Sequence, residues 1–405
     1  MKSILVIGGG FAGVWSAAGA VRVARAHGVP ASELTVTLVS SGDDLVIRPR
    51  LYEADPESMR VALDRVLGPI GVRRIAATVT DIDTTTRTVT ALGRDAHPLA
   101  LDYDRLVLAT GSQLVRPTLP GNQHLFDVDT LTGAAALDHH LRRLPERPAH
   151  AGQFTAVVVG AGFTGLEIAT ELTGRLDELT PDGSRPRVLL VQRTCELGPE
   201  LGPGPRPHIT AVVDELGIEK RLNTTVEKVT ADTVTLSDGE VIPAATVIWT
   251  AGMTASPLTA RIPGQHDRLG RLAVDQYLRV AGVSDVYAAG DTAAAEAEAG
   301  HTVMQSCQHA VPLGKTAGHN VAAGLLGLEQ VPFAPDPYVT CLDLGPAGAV
   351  VTAGWDRTVQ TTGPEAKQLK QQINADWIYP PIDDATTILT LADYHTTWPT
   401  ADVSA

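Results

Sequence analysis

The amino-acid sequence predicts an α/β fold with two Rossmann-like dinucleotide-binding domains, and two repeated features lead to this prediction. Glycine-rich turns with G-x-G-x-x-G spacing occur at Gly8–Gly13 and again at Gly160–Gly165. A short apolar run precedes each turn and a helical pattern follows it, which is the strand, turn and helix order of a dinucleotide site. Two such units imply two nucleotides bound at once, for which a flavin dinucleotide and a nicotinamide dinucleotide form the obvious pair.

The size and composition of the chain indicate a soluble globular protein with two or three domains, because its 405 residues are 44% hydrophobic and 19% charged. No apolar run approaches the about 20 residues that span a bilayer, and the N-terminal strand is too short for a secretory signal. We predict a cytoplasmic location and rank peripheral membrane attachment below it. The net charge of -14 argues against nucleic acid as a partner, since phosphate binding needs clustered basic side chains.

The cysteines argue against a disulfide framework, a metal site and a redox-active cysteine pair, because three cysteines lie far apart without a C-x-x-C motif. We interpret them as small buried residues without a chemical role. They are Cys195, Cys307 and Cys341.

The first unit starts with a buried strand at Ile4–Ile7 and continues into a helix at Val14–Ala26. Each glycine between them has a chemical reason. Gly8 permits the tight turn, Gly10 leaves room for a pyrophosphate, and Gly13 allows the helix to pack closely on the strand. Backbone N–H groups at the positive end of the helix then hold the phosphates.

The second strand, Leu34–Val39, ends at Ser40, where a dinucleotide site usually has an acid. A serine hydroxyl can make one ribose hydrogen bond, without the strength that a carboxylate charge adds. The next segment leads towards the flavin ring. There Arg48 or Arg50 offers a cation to the electron-rich edge of the ring, and a solvated surface arginine is the equal alternative.

Alternating strands are predicted over Val72–Val107, with a hairpin turn at Thr84–Arg87. The last strand ends at Thr110 and Gly111, where small residues let the backbone approach a ligand closely. Prolines and glycines after this point predict a linker at Gln113–Asp129.

The second unit has strands at Ala156–Val159 and Val188–Val191 and a helix at Leu166–Leu176. Its second strand ends at Gln192 and Arg193, so the usual acid is again missing. Without a carboxylate to repel it, a 2'-phosphate fits, and Arg193 can pair with it bidentately. This favours NADPH, or use of both cofactors, over strict NADH. In the alternative, Gln192 bonds the ribose of NADH and Arg193 is solvated.

After Val191 the sequence predicts a loop at Leu197–Pro207 and a strand meander at Thr224–Val247, followed by a glycine turn at Gly252. An apolar strand within 278–291 returns to the first domain. It ends at Gly290 and Asp291, whose carboxylate either faces the ribityl chain of a flavin or only caps a helix. The predicted C-terminal elements are a helix at Met304–Leu326, two strands within Tyr338–Gly354 and a helix at Ala366–Trp377.

Seven segments spread over residues 1 to 380 resemble, in this order, the type II NADH dehydrogenases: GGGFAG, RPRLYE, LATGS, GAGFTGLE, VIWTAGMTASPL, LRVAGVSDVYAAGD and INADWIYPP. The resemblance implies an FAD domain at 1–120 and 273–330, an inserted NAD(P)H domain at 121–272, and a small C-terminal α+β region at 331–405. The implied contacts to noncovalent FAD are Gly8, Gly10, Gly13, Val79, Thr110, Gly111, Gly290 and Asp291. The implied contacts to NAD(P)H are Gly160, Gly162, Gly165 and Gly252.

The resemblance also implies two catalytic residues. The family has a glutamate two residues after the last glycine of the second turn, and Glu167 matches it. This carboxylate orients the nicotinamide and flavin rings or relays a proton, and a carboxylate that only complements the helix dipole is the alternative. The family segment A-Q-x-A-x-Q-Q-G corresponds to Met304–Gly314, where Gln308 is retained.

The electron acceptor is the open part of the prediction. A quinone ranks first by family analogy, an aromatic small molecule in a soluble tailoring reaction ranks second, and a redox-sensing role ranks third. The expected acceptor pocket is apolar and includes Cys307, Val311, Pro312, Leu342 and Leu344. The family turn D-K-G appears as Asp343-Leu344-Gly345, without its lysine, and few basic residues follow Ala366 to anchor a membrane. A homodimer is left open.

Overall fold

The computed structural model describes residues 1–181 and 185–396. Its N-terminal unit contains a seven-stranded sheet, with strands numbered in chain order: β1 Lys2–Ile7, β2 Leu34–Ser40, β5 Arg73–Asp83, β6 Thr88–Gly93, β7 Pro98–Asp102, β8 Arg105–Leu108 and β19 Val286–Ala288. The order is β19-β8-β1-β2-β5-β6-β7. The five strands from β19 to β5 are parallel, and β6 and β7 extend the sheet as an antiparallel hairpin. Strand β19 therefore returns the chain to the first unit, as predicted.

A second parallel sheet carries the other glycine-rich turn, and an antiparallel meander follows it along the chain. The strands are β10 Thr155–Val159, β11 Arg187–Gln192, β12 Glu219–Leu222 and β16 Thr246–Trp249 in the sheet, and β13 Val226–Val229, β14 Thr233–Leu236 and β15 Val241–Pro243 in the meander. The sheet order is β12-β11-β10-β16. Every residue of β10 is buried, as a strand covered on both faces requires. The predicted α/β fold with two Rossmann-like units is confirmed, whereas the boundaries at residues 120, 272 and 330 stay a prediction.

The described residues contain eight α-helices: α1 Phe11–Ala26, α2 Leu63–Leu67, α3 Leu131–Arg142, α4 Phe163–Leu179, α5 Arg206–Glu215, α6 Cys307–Leu326, α7 Gly363–Gln372 and α8 Ala385–Leu391. Helices α1 and α6 lie in backbone contact. A Cβ atom at Gly314 would lie 2.5 Å from the carbonyl oxygen of Ala12, and one at Gly318 would lie 2.3 Å from that of Ser16. Gly314 and Gly318 lie one helical turn apart and let α6 pack directly against α1 of the first unit.

The C-terminal region is a three-stranded antiparallel sheet covered by α7. Its strands are β23 Val339–Asp343, β24 Ala349–Ala353 and β25 Thr358–Thr362. A π-helical turn, Ile373–Trp377, continues α7. Gly345 lies against α4, because a Cβ atom there would be 2.5 Å from the carbonyl oxygen of Thr170. This region therefore packs on the helix of the second glycine-rich turn.

Four two-stranded ribbons complete the described part of the chain: β3 Asp44–Val46 with β4 Arg60–Ala62, β9 Ser112–Leu114 with β17 Met253–Ala255, β18 Leu272–Ala273 with β20 Ala293–Ala294, and β21 Glu296–Glu298 with β22 His301–Thr302. The predicted linker thus begins as a strand, β9, that joins the two units. None of the helices in residues 1–181 and 185–396 is long and apolar enough to cross a membrane.

Several elements were not predicted from the sequence. Besides those described next, they include helices α2 and α3, strand β12 and most strands of the two-stranded ribbons. Helix α5 begins at Arg206, inside the predicted loop. Pro207 favours a loop in the sequence pattern, but proline also fits the first turn of a helix. Strand β25 and helix α8 also lie where no element was predicted.

Candidate active site

The first glycine-rich turn, between β1 and α1, is open on one side. A Cβ atom at Gly8 would lie 2.2 Å from the carbonyl oxygen of Ala109, and one at Gly13 would lie 1.9 Å from that of Gly8. At Gly10, by contrast, a Cβ atom would meet no atom within 4 Å. Gly8 and Gly13 are thus required by backbone packing, and Gly10 leaves space next to the helix N-terminus.

The second turn repeats this backbone packing but is covered. A Cβ atom at Gly165 would lie 1.8 Å from the carbonyl oxygen of Gly160, whose φ is 103°. At Gly162 the nearest atom is Oε1 of Glu200, at 2.2 Å. The same oxygen accepts a hydrogen bond from the backbone N–H of Phe163 at 3.1 Å.

One cavity of about 1690 Å³ extends along both turns. It is larger than the about 300–1,000 Å³ of a pocket for one drug-sized ligand. Twelve of the predicted site residues line it: Gly8, Gly10, Ser40, Arg48, Thr110, Gly111, Gly162, Glu167, Gly252, Gly290, Asp291 and Gln308. The other six are Gly13, Val79, Gly160, Gly165, Gln192 and Arg193, which are not among the lining residues. Val79 packs instead against the core behind the first sheet.

Between the two candidate arginines, the structure brings Arg48 to the cavity. Its guanidinium donates to the Ser112 hydroxyl at 3.0 Å, forms an ion pair with Asp129, and lies 3.8 Å from Oδ2 of Asp291. The Ser112 hydroxyl in turn donates to Asp291 at 2.6 Å. Burial raises the pKa of Asp291, and the Ser112 bond and the Arg48 charge oppose the shift. Arg50 points elsewhere, to Glu53 and Tyr379.

Two cavity side chains have buried polar atoms without a partner. Thr110 Oγ1 and Gln305 Nε2 form no hydrogen bond within residues 1–181 and 185–396. Buried polar atoms are nearly always paired in folded proteins. These two atoms therefore mark a place where a polar ligand fits.

A buried ion pair connects α4 with the C-terminal region. Glu167, which is 9% exposed, accepts a hydrogen bond from Nζ of Lys370 at 2.8 Å and one from the backbone N–H of Asp343 at 3.1 Å. Burial raises the pKa of Glu167, and the Lys370 ammonium opposes that shift. Glu167 thus sits in the cavity wall with the Lys370 ammonium as its cationic partner.

Helix α7 supplies two lysines to the carboxylates beside the Asp343-Leu344-Gly345 turn. Lys367 pairs with Asp343 at 2.5 Å, and Lys370 pairs with Glu167. Tyr52 completes the network by donating to Asp343 at 2.9 Å. Sequence reasoning missed Lys370 and Tyr52, although two lysines three residues apart in a helical pattern share one helix face.

The end of the second strand differs between the two units. Ser40 lies beside the first turn, since a Cβ atom at Gly9 would be 2.6 Å from its hydroxyl. Gln192 is buried, and its amide accepts from the backbone N–H of Ala161 at 3.0 Å and donates to Thr194 at 2.7 Å. Arg193 is exposed and forms no ion pair within the described residues.

Gln308 lines the cavity and also ties α6 to β23. With its amide nitrogen facing the carbonyl oxygen of Val339, it forms two hydrogen bonds with the backbone of that residue, at 2.5 and 3.1 Å. Its amide is therefore used by the protein itself.

The apolar wall differs from the one expected. Of the five predicted residues only Cys307 lines the cavity, because Val311, Leu342 and Leu344 are buried in the protein core. The observed lining of this part includes Met304, Cys307, Tyr338, Cys341, Ile373, Trp377 and Ile378.

The cysteines also depart from the expectation of small buried residues, because Cys195 is exposed and Cys307 and Cys341 are only partly buried. Burial raises the pKa of Cys307 to about 11 and that of Cys341 to about 12. Both thiols of the cavity wall are therefore protonated near neutral pH and are poor nucleophiles.

Two glycine-rich turns on one cavity define the class of two-dinucleotide-binding oxidoreductases. Residues 2–314 match the family model for pyridine nucleotide-disulphide oxidoreductases, and the chain belongs to this family. The relatives named next confirm the resemblance to type II NADH dehydrogenases and the prediction that the protein is an oxidoreductase.

An NADH dehydrogenase-like protein of Mycobacterium tuberculosis (strain CDC 1551 / Oshkosh) is 46% identical over 395 residues, which cover 97% of this chain and 98% of the relative. A demethylphylloquinone reductase of Synechocystis sp. (strain ATCC 27184 / PCC 6803 / Kazusa) is 30% identical over 375 residues, covering 90% and 89%. The solved structure of NDH2 from Plasmodium falciparum in complex with NADH aligns with a TM-score of 0.76 at 13% identity, covering 96% and 97%. At that identity the last comparison shows the fold alone.

Proposed function

We propose that this protein binds FAD at the first glycine-rich turn and NAD(P)H at the second, and that it transfers two electrons from NAD(P)H to a quinone. The observation that carries the proposal is the single cavity that runs along both turns and includes Glu167 in its wall. Reaction between two bound dinucleotides requires their reactive rings to meet in one protected space.

The residues of the first unit fit FAD. Gly10 leaves open space at the N-terminus of α1, Ser40 stands at the ribose position, and the unpaired Thr110 Oγ1 offers a hydrogen-bonding group in the cavity. Arg48 and Asp291 supply a cation and a carboxylate beside Gly111 and Gly290, which also line the cavity. When bound, FAD would supply the two-electron chemistry that no side chain of this protein provides. Val79 is partly buried and packs against a core cluster, so its place among the FAD contacts stays a prediction.

In the second unit the same reasoning supports NADPH as a donor at least as good as NADH. Gln192 is engaged by the glycine-rich turn, and the exposed Arg193 is free to pair with a 2'-phosphate. Gly160, Gly162, Gly165 and Gly252 complete the proposed nucleotide site.

Glu167 and Lys370 are the proposed proton-handling groups. Reduction of a quinone by NAD(P)H takes up one proton from water in addition to the hydride, so a buried ionisable pair at the cavity wall has a clear use. Gln308 is a positioning residue in this proposal, because its amide holds β23 against the start of α6.

The acceptor proposal rests on the apolar wall formed by Met304, Tyr338, Ile373, Trp377 and Ile378. A flat hydrophobic ring system fits such a lining. Two relatives support a quinone. One is named a demethylphylloquinone reductase, and the other, NdhA of Mycobacterium tuberculosis (strain ATCC 25618 / H37Rv), is named a type II NADH:quinone oxidoreductase.

The proposal is tested by identifying the chromophore released on denaturation and by assaying NADPH and NADH oxidation with a menaquinone analogue. We expect one FAD per chain and saturable quinone reduction. Glu167→Gln should lower kcat at least tenfold and change its pH profile, whereas Glu171→Gln, one turn further along α4, should change neither. Release of riboflavin phosphate alone, or a flavin that neither nucleotide reduces, would contradict the proposal. Assaying fractionated cells tests the predicted cytoplasmic location, which tight membrane binding would contradict.

A further inference from the structure

Glu200 occupies the place where the second glycine-rich turn would hold a phosphate. Its Oε1 lies over Gly162 and accepts the hydrogen bond of the Phe163 backbone N–H at 3.1 Å. These groups form the N-terminus of α4, whose positive end and free N–H groups are the standard anchor for a dinucleotide pyrophosphate. A carboxylate and a pyrophosphate cannot occupy this position together.

We propose that Glu200 is an internal competitor for the nicotinamide nucleotide, whose pyrophosphate must displace the carboxylate before it can bind. This inference rests on the proposed function, because it assumes that the second turn binds NAD(P)H. Glu200 then lowers the apparent affinity for the nucleotide without taking part in electron transfer.

The backbone of Glu200 is anchored from two sides. On one side, the preceding Gly198 donates to the carbonyl oxygen of Ala161 at 2.7 Å. On the other, the carbonyl oxygen of Glu200 accepts from Arg357 at 3.4 Å. Arg357 is itself buried and donates to the Tyr338 hydroxyl at 2.8 Å. The backbone of Glu200 is therefore held close enough to α4 for its carboxylate to reach the N-terminus of that helix.

The side chain, in contrast, is free to leave. Glu200 is exposed, and in the described part of the chain no cationic side chain pairs with its carboxylate. The carboxylate is held by one backbone N–H and by the helix dipole, both of which a pyrophosphate uses more fully. Rotation of one side chain is enough to open the site, and the backbone need not move.

Competition of this kind has a defined thermodynamic signature. The apparent dissociation constant of a ligand equals its intrinsic value divided by the fraction of protein whose site is open. If Glu200 covers the turn about nine-tenths of the time, its removal lowers the dissociation constant about tenfold. The rate constant of flavin reduction at saturating nucleotide is unchanged, because the carboxylate has already left in the bound state.

The test compares Glu200→Ala and Glu200→Gln with Glu196→Ala, a carboxylate of the same loop that pairs with Arg206 at 2.9 Å. NADP+ and NAD+ are titrated into the oxidised, flavin-loaded proteins by calorimetry, and reduction by NADPH and NADH is followed by anaerobic stopped flow. We expect dissociation constants about tenfold lower in both Glu200 variants, wild-type values in Glu196→Ala, and unchanged limiting rate constants. Flavin content checks that each variant is folded.

An unchanged or higher dissociation constant in Glu200→Ala would overturn the inference, and a higher value would make Glu200 a nucleotide ligand. The proposed function fails by a separate result, namely a wild-type flavin that saturating NADPH and NADH both leave oxidised. A wild type that is reduced normally, with Glu200 variants that bind no more tightly, would overturn the competitor alone.

Discussion

The two glycine-rich turns have the same spacing and the same backbone packing, yet their surroundings differ in two ways. At the first turn the space beyond Gly10 is open, whereas at the second Gly162 lies under Glu200. Two residues after the last glycine, α1 has the apolar Trp15 and α4 has the buried carboxylate of Glu167. The glycines therefore set only the shape of the turn, and the residues around it decide how each nucleotide is held and used.

The largest effect should come from the glycines on which both turns depend. Gly13→Ala and Gly165→Ala each place a methyl group under 2 Å from a backbone oxygen, at 1.9 and 1.8 Å. We expect Gly13→Ala to abolish flavin binding, and Gly165→Ala to retain flavin that NAD(P)H no longer reduces. Flavin absorbance and stopped-flow reduction measure the two losses.

Gly174→Ala is the matched control, because it lies in α4 with no atom within 4 Å of the added methyl group. It should be neutral or slightly stabilising, since alanine is the better helix former. Loss of flavin from both turn variants would show that the turns do not act separately.

The next effect concerns the ion pair between Glu167 on α4 and Lys370 on α7. Lys370→Met leaves Glu167 as a buried carboxylate without its cation, so the free energy of unfolding should fall by about 3 kcal/mol. Urea denaturation of the flavin-loaded protein measures the change. Lys367→Met is the control: its partner Asp343 keeps the bonds from Tyr52 and Gly345, so the loss should be about 1 kcal/mol.

Adding Glu167→Gln to Lys370→Met should recover part of the stability, because no unpaired charge then remains buried. A double variant as unstable as Lys370→Met would instead assign the loss to packing of the lysine side chain.

A smaller effect concerns pH and two histidines, of which His309 is buried and His140 is partly buried. Burial lowers the pKa of His140, beside β16, and of His309, at the start of α6, to about 4 in each case. The unfolded chain binds these protons near pH 6.5, so the free energy of unfolding should fall as pH drops from about 6.5 to 5, by about 1–2 kcal/mol per histidine. His140→Gln and His309→Gln should each flatten this slope in urea titrations between pH 7 and 4.5. An unchanged pH dependence in one variant would show that the pKa of that histidine is the same in the folded and unfolded protein.

The smallest effect concerns the ribose end of the second unit. Arg193→Ala should raise KM for NADPH about fivefold, or 1 kcal/mol, and leave KM for NADH unchanged, because only NADPH carries a 2'-phosphate. Gln192→Glu should shift preference towards NADH through charge repulsion. A wild type that uses NADH at least tenfold better than NADPH would refute the assignment.

The fold and both glycine-rich turns could be predicted because they depend on local sequence patterns. The strand, three glycines and helix around Gly8 or Gly160 are consecutive, and their chemistry is visible without any partner. Lys370 could not be assigned to Glu167 in the same way, because the two residues are 203 positions apart and meet only when the C-terminal region packs on α4. Glu200 was hidden for a different reason: its loop contains the prolines and glycines of an ordinary connection, and nothing local shows that its carboxylate reaches a helix end.

The origin of Lys370 also limits how this protein can be recombined with its relatives. The family match ends at residue 314, yet the cation that neutralises Glu167 comes from α7, beyond that point. A chimera that exchanges the nucleotide-binding units and keeps a foreign C-terminus separates the two charges, even if every glycine-rich turn is intact. Functional hybrids should therefore inherit α4 and α7 from the same parent.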